Sequence, residues 1–120
     1  MPHTCDALIV SCIDFRFQKF KHAWLDKNMA GKTYDSIGFS GATKDLKTII
    51  EQLDFSERLH HYNQVILIHH EDCGAYGKES TYDQHVADLQ KAKMVINALY
   101  PNLQVDMYYL HLDGTFEMIE

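Results

Sequence analysis

The chain has 120 residues, of which 46% are hydrophobic and 23% are charged, a composition that predicts one globular domain spanning residues 1–120. Eleven basic and seventeen acidic side chains give a formal net charge of −6, so the sequence lacks the basic surface that binding to nucleic acid or an anionic membrane requires. Residues 1–6 have no signal-peptide pattern, and no segment approaches the apolar run of about eighteen residues that spans a bilayer, which predicts a soluble cytoplasmic protein.

Four short segments have the apolar or β-branched character of strands. They are residues 7–11, 34–37, 65–68 and 105–110. The first and third are apolar almost throughout, which is typical of central strands covered on both faces. The second and fourth are more mixed, and this favours positions at the edges of a sheet.

Three helical patterns lie between the strands, at residues 17–28, 44–60 and 82–100. The first pattern places Phe17, Phe20 and Trp24 on one face, and Pro101 ends the third. Strands that alternate with helices of this length predict βαβ units with right-handed crossovers. We therefore predict an α/β three-layer sandwich around a mostly parallel four-stranded sheet in the order 2-1-3-4.

Two cysteine-bearing segments each follow a predicted central strand. Residues 12–16 (CIDFR) follow the first strand, and residues 70–74 (HEDCG) follow the third. In an open α/β sheet the ligand crevice lies beyond the carboxyl ends of the strands, where the winding reverses. The predicted order puts that reversal between strands 1 and 3, so the two segments should meet there.

The donors in these two segments predict a metal centre. Two thiolates, from Cys12 and Cys73, and the imidazole of His70 are a ligand set that zinc accepts while a fourth position stays open for water or an acid. The alternative for Cys12 alone is a small buried hydrophobe at a strand end. Cys5 has no neighbour at ligand spacing, and core packing is expected for it.

Asp14 and Arg16 stand beside the predicted ligand Cys12. Asp14 is suited to orient zinc-bound hydroxide while Arg16 holds its carboxylate, and we expect a closed state in which Asp14 binds zinc as a further ligand. The alternative is structural: Asp14 caps the start of a helix and Arg16 is a solvated charge.

The spacing Cys-x-Asp-x-Arg, followed by His-x-x-Cys-Gly, resembles the β-class carbonic anhydrases from about residue 8 to the end of the chain. The resemblance implies the same α/β fold, one Zn²⁺ per chain and reversible hydration of carbon dioxide to bicarbonate by zinc-bound hydroxide, with a homodimer or higher homo-oligomer as the assembly. By motif position it also implies that Cys12, His70 and Cys73 bind zinc. Asp14 and Arg16 would be the catalytic residues.

The chain departs from the resembled family in two places near this site. Residues 38–41 read Gly-Phe-Ser-Gly where the family has Arg-Asn-Ala-Gly, and we expect Phe39, Ser40, Gly41 and Gly74 to line the substrate pocket. His69 stands where the family has glycine, and it would either relay protons or simply pack. More distant relays would be His22 and His85.

Two other functions remain open at this point. The altered loop suits a zinc-binding protein that lacks hydration activity and serves bicarbonate sensing or structure. The same apparatus would also suit a hydrolase of carbonyl sulfide or carbon disulfide, because both are small linear molecules related to carbon dioxide.

Overall fold

A computed structural model describes residues 3–120 of the chain. The strands are β1 Ala7–Ser11, β2 Tyr34–Gly38, β3 Gln64–His70, β4 Gln104–Leu110 and β5 Phe116–Ile119. The helices are α1 Gln18–Asn28, α2 Leu46–His60 and α3 Tyr82–Leu99, with 3-10 turns at Phe15–Phe17 and Gly77–Glu79. Residues 1 and 2 lie outside the described residues. The predictions of a single domain over residues 1–120 and of no signal-peptide pattern in residues 1–6 include these two residues.

The five strands form one sheet in the order β2-β1-β3-β4-β5. Strands β2, β1, β3 and β4 pair in parallel, which confirms the predicted α/β class and the order 2-1-3-4. The sheet has a fifth strand that we did not predict, because β5 pairs antiparallel with β4 through Leu110 and Phe116. The prediction that the fourth strand forms an edge is therefore wrong.

A tight turn makes this last pairing possible. The backbone N–H of Gly114 donates to the His111 carbonyl at 2.9 Å, and the His111 N–H donates to the Thr115 carbonyl at 2.9 Å. Gly114 has a φ of +93°, a conformation that glycine adopts without a steric penalty. The sequence Asp113-Gly114 is the signal from which this hairpin could have been predicted.

The helices cover both faces of the sheet, as the three-layer prediction requires. Helices α2 and α3 pack on one face, against a core that includes Leu8, Val10, Leu53, Leu67, Leu89 and Ile96. On the other face α1 packs through Leu25 against Ala7, Ile9, Ile66 and Ile68.

The buried face of α1 differs in part from the predicted one. Phe17 is buried as expected, but Phe20 is 38% exposed, and Lys21 and Leu25 take the inward positions. A lysine occupies this face because its amine has a buried partner: Lys21 Nζ donates to Ser11 Oγ at 3.3 Å. Lysine stems often cover apolar surface in this way, which hydrophobic patterning cannot detect.

Side-chain caps set the starts of the two longer helices. Asp45 Oδ1 accepts from the Thr48 N–H at 3.3 Å, so α2 begins at Leu46, two residues after the predicted start. Thr81 Oγ1 accepts from the Gln84 N–H and caps α3, which begins at Tyr82 as predicted. Within residues 3–120, no helix has both the length and the apolar character needed to cross a bilayer.

Candidate metal centre

The two cysteine-bearing segments meet at one end of the sheet. Cys12 directly follows β1, and His70 is the last residue of β3, the parallel neighbour of β1. One donor atom from each of Cys12, His70 and Cys73 lies within 4.8 Å of the others. The structure therefore brings together the three residues that sequence reasoning singled out as ligands.

His70 presents a free nitrogen to this cluster. Its Nδ1 lies 2.8 Å from the Glu71 carbonyl oxygen, and because a carbonyl only accepts, Nδ1 must carry the proton. Nε2 of the neutral ring then carries a lone pair. That atom is buried and has no hydrogen-bond partner among the residues the structure describes. A buried polar atom without a partner is costly, and a metal ion would satisfy it.

The backbone holds both sulfur donors in place. Cys12 Sγ accepts from the Gly41 N–H at 3.4 Å. The Cys73 N–H donates to Ser80 Oγ at 2.8 Å, and its carbonyl accepts from the N–H groups of Tyr76 and Gly77. Cys73 thus begins a tight turn whose geometry fixes the direction of its side chain.

The neighbouring sulfur atoms shift the pKa values of Cys12 and Cys73 in opposite directions. The hydrogen bond from Cys73 lowers the pKa of Cys12, and the neighbouring Cys12 sulfur raises the pKa of Cys73 well above its ordinary value. Burial opposes the charged form of His70, but the Cys12 sulfur and Asp14 raise its pKa overall. A bound divalent cation would require both thiols to be deprotonated and His70 to be neutral.

Arg16 binds two carboxylates beside the cluster. Its Nη2 lies 2.8 Å from Asp14 Oδ2, and its Nη1 lies 3.0 Å from Asp72 Oδ2. Nη2 also donates to the Asp72 carbonyl oxygen at 2.8 Å. Asp72 was missed by sequence reasoning, although its position between His70 and Cys73 is a signal that it lies near the site.

Asp14 has the capping position expected of the structural alternative, and it also contacts the Arg16 side chain. Its Oδ1 accepts from the Arg16 backbone N–H at 2.9 Å, which caps the 3-10 turn at Phe15–Phe17. The same carboxylate accepts from the Arg16 guanidinium, and its Oδ2 lies 4.0 Å from His70 Nε2. The Arg16 side chain lowers the pKa of Asp14, which keeps the carboxyl ionised.

The predicted pocket residues lie at different depths. Gly41 is buried beside Cys12, whereas Ser40 and Gly74 are exposed. Phe39 is half-buried and packs against the core on the α2 and α3 face. A cavity of about 10 Å³, room for roughly one water molecule, adjoins the cluster and is lined by Cys12, His70, Phe17, Lys21 and neighbouring residues. Lys21 was not predicted as part of the site.

His69 lies in a buried hydrogen-bonded chain. It is 1% exposed, and its Nε2 lies 2.6 Å from Thr43 Oγ1 while its Nδ1 lies 2.8 Å from Nδ1 of His85. His85 Nε2 in turn lies 2.9 Å from Ser80 Oγ, the atom that accepts from the Cys73 N–H. Burial lowers the pKa of His69 to about 3 and that of His85 to about 4, so both rings are neutral. His22, the other distant relay considered, is exposed on α1.

The fold and the donor set define a class of protein: an α/β sheet with two sulfur donors and one imidazole at its topological switch point, a set that suits zinc. The family described as "Putative carbonic anhydrase" matches residues 2–120 of the chain. The chain belongs to that family.

Other proteins resemble the chain in sequence or in fold. An uncharacterized protein of Rickettsia bellii is 28% identical over 131 residues, covering 93% of this chain and 80% of that protein. The carbonic anhydrase of Streptococcus mutans superposes with a TM-score of 0.70 at 15% identity, covering 100% of this chain and 86% of that one. A tetrameric β-carbonic anhydrase of Sordaria macrospora gives a TM-score of 0.67 at 10% identity, covering 97% and 81%.

A carbon disulfide hydrolase also has this fold. It superposes with a TM-score of 0.58 at 12% identity, covering 94% of this chain and 77% of that one. At such identities the structural likeness establishes the fold, and the chemistry must be argued from the residues of this chain.

Proposed function

We propose that the chain is a zinc-dependent carbonate dehydratase, which hydrates carbon dioxide reversibly to bicarbonate with one Zn²⁺ held by Cys12, His70 and Cys73. The observation that carries this proposal is the buried, unpartnered Nε2 of His70, whose ligand cluster also contains the sulfur atoms of Cys12 and Cys73. When bound, zinc supplies a Lewis acid that turns water into a nucleophile near neutral pH. Family membership supports the same reaction.

Asp14 acts in this proposal as the residue that orients the attacking water. Its Oδ2 lies 4.0 Å from His70 Nε2, so the carboxylate stands next to the ligand cluster. As an ionised group it only accepts hydrogen bonds, and it therefore selects the water orientation that turns a lone pair toward the substrate. Arg16 keeps the carboxylate ionised and fixed, which also opposes its movement onto the metal.

Asp14 contacts Arg16 at 2.8 Å, and we propose that this pairing is the open state of a two-state site. Closure would require Asp14 to leave the guanidinium. Asp72 would then remain as the partner of Arg16, because it already binds Nη1 and Nη2 through its side chain and its carbonyl oxygen. We propose that Asp72 lowers the cost of closure by keeping Arg16 paired in both states.

The remaining predicted residues have lesser roles in the proposal. Gly41 and Gly74 allow substrate to approach the cluster, with Phe39 and Ser40 on the adjoining loop. His69 would pass protons along its hydrogen-bonded chain to Thr43 and His85.

We also propose that the protein is cytoplasmic and forms a homodimer or higher homo-oligomer. The exposure of Phe15 (85%) and Ile13 (62%) beside the site supports the assembly. Light scattering coupled to gel filtration tests this, and a monomer at micromolar concentration would contradict it.

A second candidate function is hydrolysis of carbonyl sulfide or carbon disulfide. Both are small linear molecules related to carbon dioxide, and a carbon disulfide hydrolase shares this fold. The loop at residues 38–41 lacks the arginine and asparagine of the resembled family and favours a different candidate. That candidate is a zinc-binding protein that senses bicarbonate or is held together by the metal, without turnover.

Stopped-flow measurement of carbon dioxide hydration separates these functions. Zinc-loaded protein should hydrate carbon dioxide well above the buffer rate, and Cys73→Ser should reduce the rate to that of buffer. Lys91→Gln is the control, because Lys91 is exposed on α3, and it should leave the rate unchanged. No hydration by wild-type protein would overturn the proposal, and hydrolysis of carbon disulfide by that same protein would favour the second candidate.

A further inference from the structure

We propose that the chain has a second metal site, in which Cys5, Asp35 and His60, with His3 as a fourth ligand, bind a zinc-type divalent cation. This site is independent of the proposed carbon dioxide chemistry. Cys5 precedes β1 and Cys12 follows it, so the two sites lie at opposite ends of that strand, on the order of 20 Å apart at the rise per residue of a strand.

Three parts of the fold bring these side chains together. Asp35 is the second residue of β2, His60 is the last residue of α2, and Cys5 lies two residues before β1. The Cys5 N–H donates to the His60 carbonyl oxygen at 3.2 Å, which ties the segment before β1 to the end of the helix. One donor atom from each of Cys5, Asp35 and His60 lies within 4.8 Å of the others.

The carboxylate of Asp35 is arranged as it is at metal sites. Its Oδ2 accepts from Ser56 Oγ at 2.6 Å and lies 2.6 Å from Nδ1 of His60. Both contacts end on one oxygen, so among the described residues Oδ1 remains for an ion. An ion bound by both Asp35 and His60 would replace the proton that now lies between Oδ2 and Nδ1.

A fourth donor lies beside the cluster. The ring centroid of His3 is 4.9 Å from that of His60, and His3 is exposed on the segment before β1. With His3 the set becomes one sulfur, two imidazoles and one carboxylate, a four-ligand sphere of the kind that structural zinc sites use. A thiol together with imidazoles selects a borderline ion such as zinc over Mg²⁺ or Ca²⁺.

The same three residue types could instead form a reactive thiol with a histidine base. Two observations oppose this alternative. Burial raises the pKa of the Cys5 thiol, which keeps it protonated, and the sulfur donates to the Ala7 carbonyl oxygen at 3.4 Å. A nucleophilic cysteine needs the opposite shift, toward the thiolate. A bound cation would supply the missing positive charge and convert the thiol into a ligand.

Such a site would have a structural role. The ion would join the segment before β1, the edge strand β2 and the end of α2, three parts of the chain that meet where the sheet has no further strand. Binding to the folded state alone would stabilise the protein in proportion to the free metal concentration.

The test uses a variant in which Cys5 is the only thiol. The chain has three cysteines, so the double substitution Cys12→Ser, Cys73→Ser removes the sulfur donors of the first site and leaves Cys5. Titration of this variant with Co²⁺ should give one bound ion per chain and a thiolate-to-cobalt charge-transfer band, which can arise only from Cys5. Adding His60→Gln should weaken Co²⁺ binding at least about tenfold, whereas the control His22→Gln should leave the affinity unchanged.

Two results would overturn the proposal: the absence of a charge-transfer band in the folded double variant, or a band whose affinity is the same with and without His60→Gln. If circular dichroism shows that the double variant does not fold, zinc is counted in otherwise native protein. We then expect two zinc ions per chain in wild type and in His22→Gln, and one in His60→Gln. A count of one in wild type would contradict the second site. Because the double variant lacks the first site, failure of the proposed hydration would not affect this outcome.

Discussion

Oδ2 of Asp14 lies 4.0 Å from Nε2 of His70. This separation places a fixed acceptor within reach of a water molecule at the ligand cluster, and it is set by Arg16, which holds both oxygens of the Asp14 carboxylate. The position of Asp14 relative to His70 therefore depends on the fork geometry of one guanidinium.

Replacing Arg16 by lysine should disrupt this geometry. A single ammonium cannot make the paired contacts to Asp14 and the further contacts to Asp72, so the Asp14 carboxylate would lose its fixed orientation. We expect the hydration rate of Arg16→Lys to fall roughly 10- to 100-fold while zinc content stays at the wild-type value. Arg58→Lys, on the exposed side of α2, is the control. An unchanged rate in Arg16→Lys would show that Arg16 does not position Asp14 for catalysis.

Gly41 should tolerate no side chain. It has a φ of +80°, and an added Cβ would lie 3.0 Å from Lys44 Cβ and 3.2 Å from Ala75 Cβ. The matched control is Gly31→Ala, because Gly31 has a φ of +75° but no atom within 4 Å of an added Cβ. Each substitution should cost about 1 kcal/mol for the backbone conformation, and Gly41→Ala should cost more because of the two contacts.

Urea unfolding measures the difference in stability between Gly41→Ala and Gly31→Ala, and a zinc competition assay measures the zinc affinity of each variant. Since the Gly41 N–H donates to Cys12 Sγ, Gly41→Ala should also weaken zinc binding, whereas Gly31→Ala should not. Equal stability losses and equal zinc affinities in the two variants would show that Lys44 and Ala75 move away from an added Cβ at residue 41 without cost.

Ser80 should position the ligand Cys73. Its Oγ accepts from the Cys73 N–H, and Ser80→Ala would leave that backbone group without its partner, at a cost of about 1–3 kcal/mol. We expect the zinc affinity of Ser80→Ala to fall by roughly 10- to 100-fold, the usual effect of removing a residue that holds a ligand. Ser36→Ala, at an exposed position of β2, should leave the affinity unchanged. Wild-type affinity in Ser80→Ala would contradict this role.

Stability should fall in mild acid because burial lowers the pKa values of His69 and His85 in the folded protein, and His85 can be tested by itself. Burial lowers the pKa of His85 in the folded protein to about 4, from an ordinary value of 6.5, so between these two pH values the unfolded chain binds a proton that the folded chain does not. The contribution of His85 is therefore fully present above about pH 6.5 and is lost as the pH falls toward 4, at up to about 1.4 kcal/mol per pH unit.

Urea unfolding of metal-free protein between pH 7 and pH 4.5 tests this expectation. His85→Gln should flatten the pH dependence relative to wild type, and His22→Gln should not, because His22 is exposed. Parallel pH profiles for wild type and His85→Gln would contradict the assignment of a buried neutral ring.

The sheet was predictable because its signals are local or topological. The apolar runs of β1 and β3 identified the central strands, and from their order followed the meeting of Cys12 with His70. The fifth strand was missed because residues 116–119 are short and mixed in character, and only the Asp113-Gly114 turn marks the hairpin.

Residues whose role depends on packing could not be predicted in this way. Lys21 faces inward because Ser11 Oγ accepts a hydrogen bond from its amine. His85 belongs to the buried hydrogen-bonded chain because α3 places it against His69. Cys5 packs against the core, as expected, and its sequence neighbours form no recognised ligand motif that would have indicated a second role. Its neighbours Asp35 and His60 come from β2 and α2, and only the tertiary fold brings these donors together.

Zinc X-ray absorption on the Cys5→Ser variant measures the proposed ligand set by itself, because that variant keeps only the thiols of Cys12 and Cys73. At one zinc per chain we expect two sulfur ligands at about 2.3 Å and one imidazole nitrogen at about 2.0 Å, with an oxygen in the fourth position. A zinc coordinated by oxygen and nitrogen alone would contradict this ligand set.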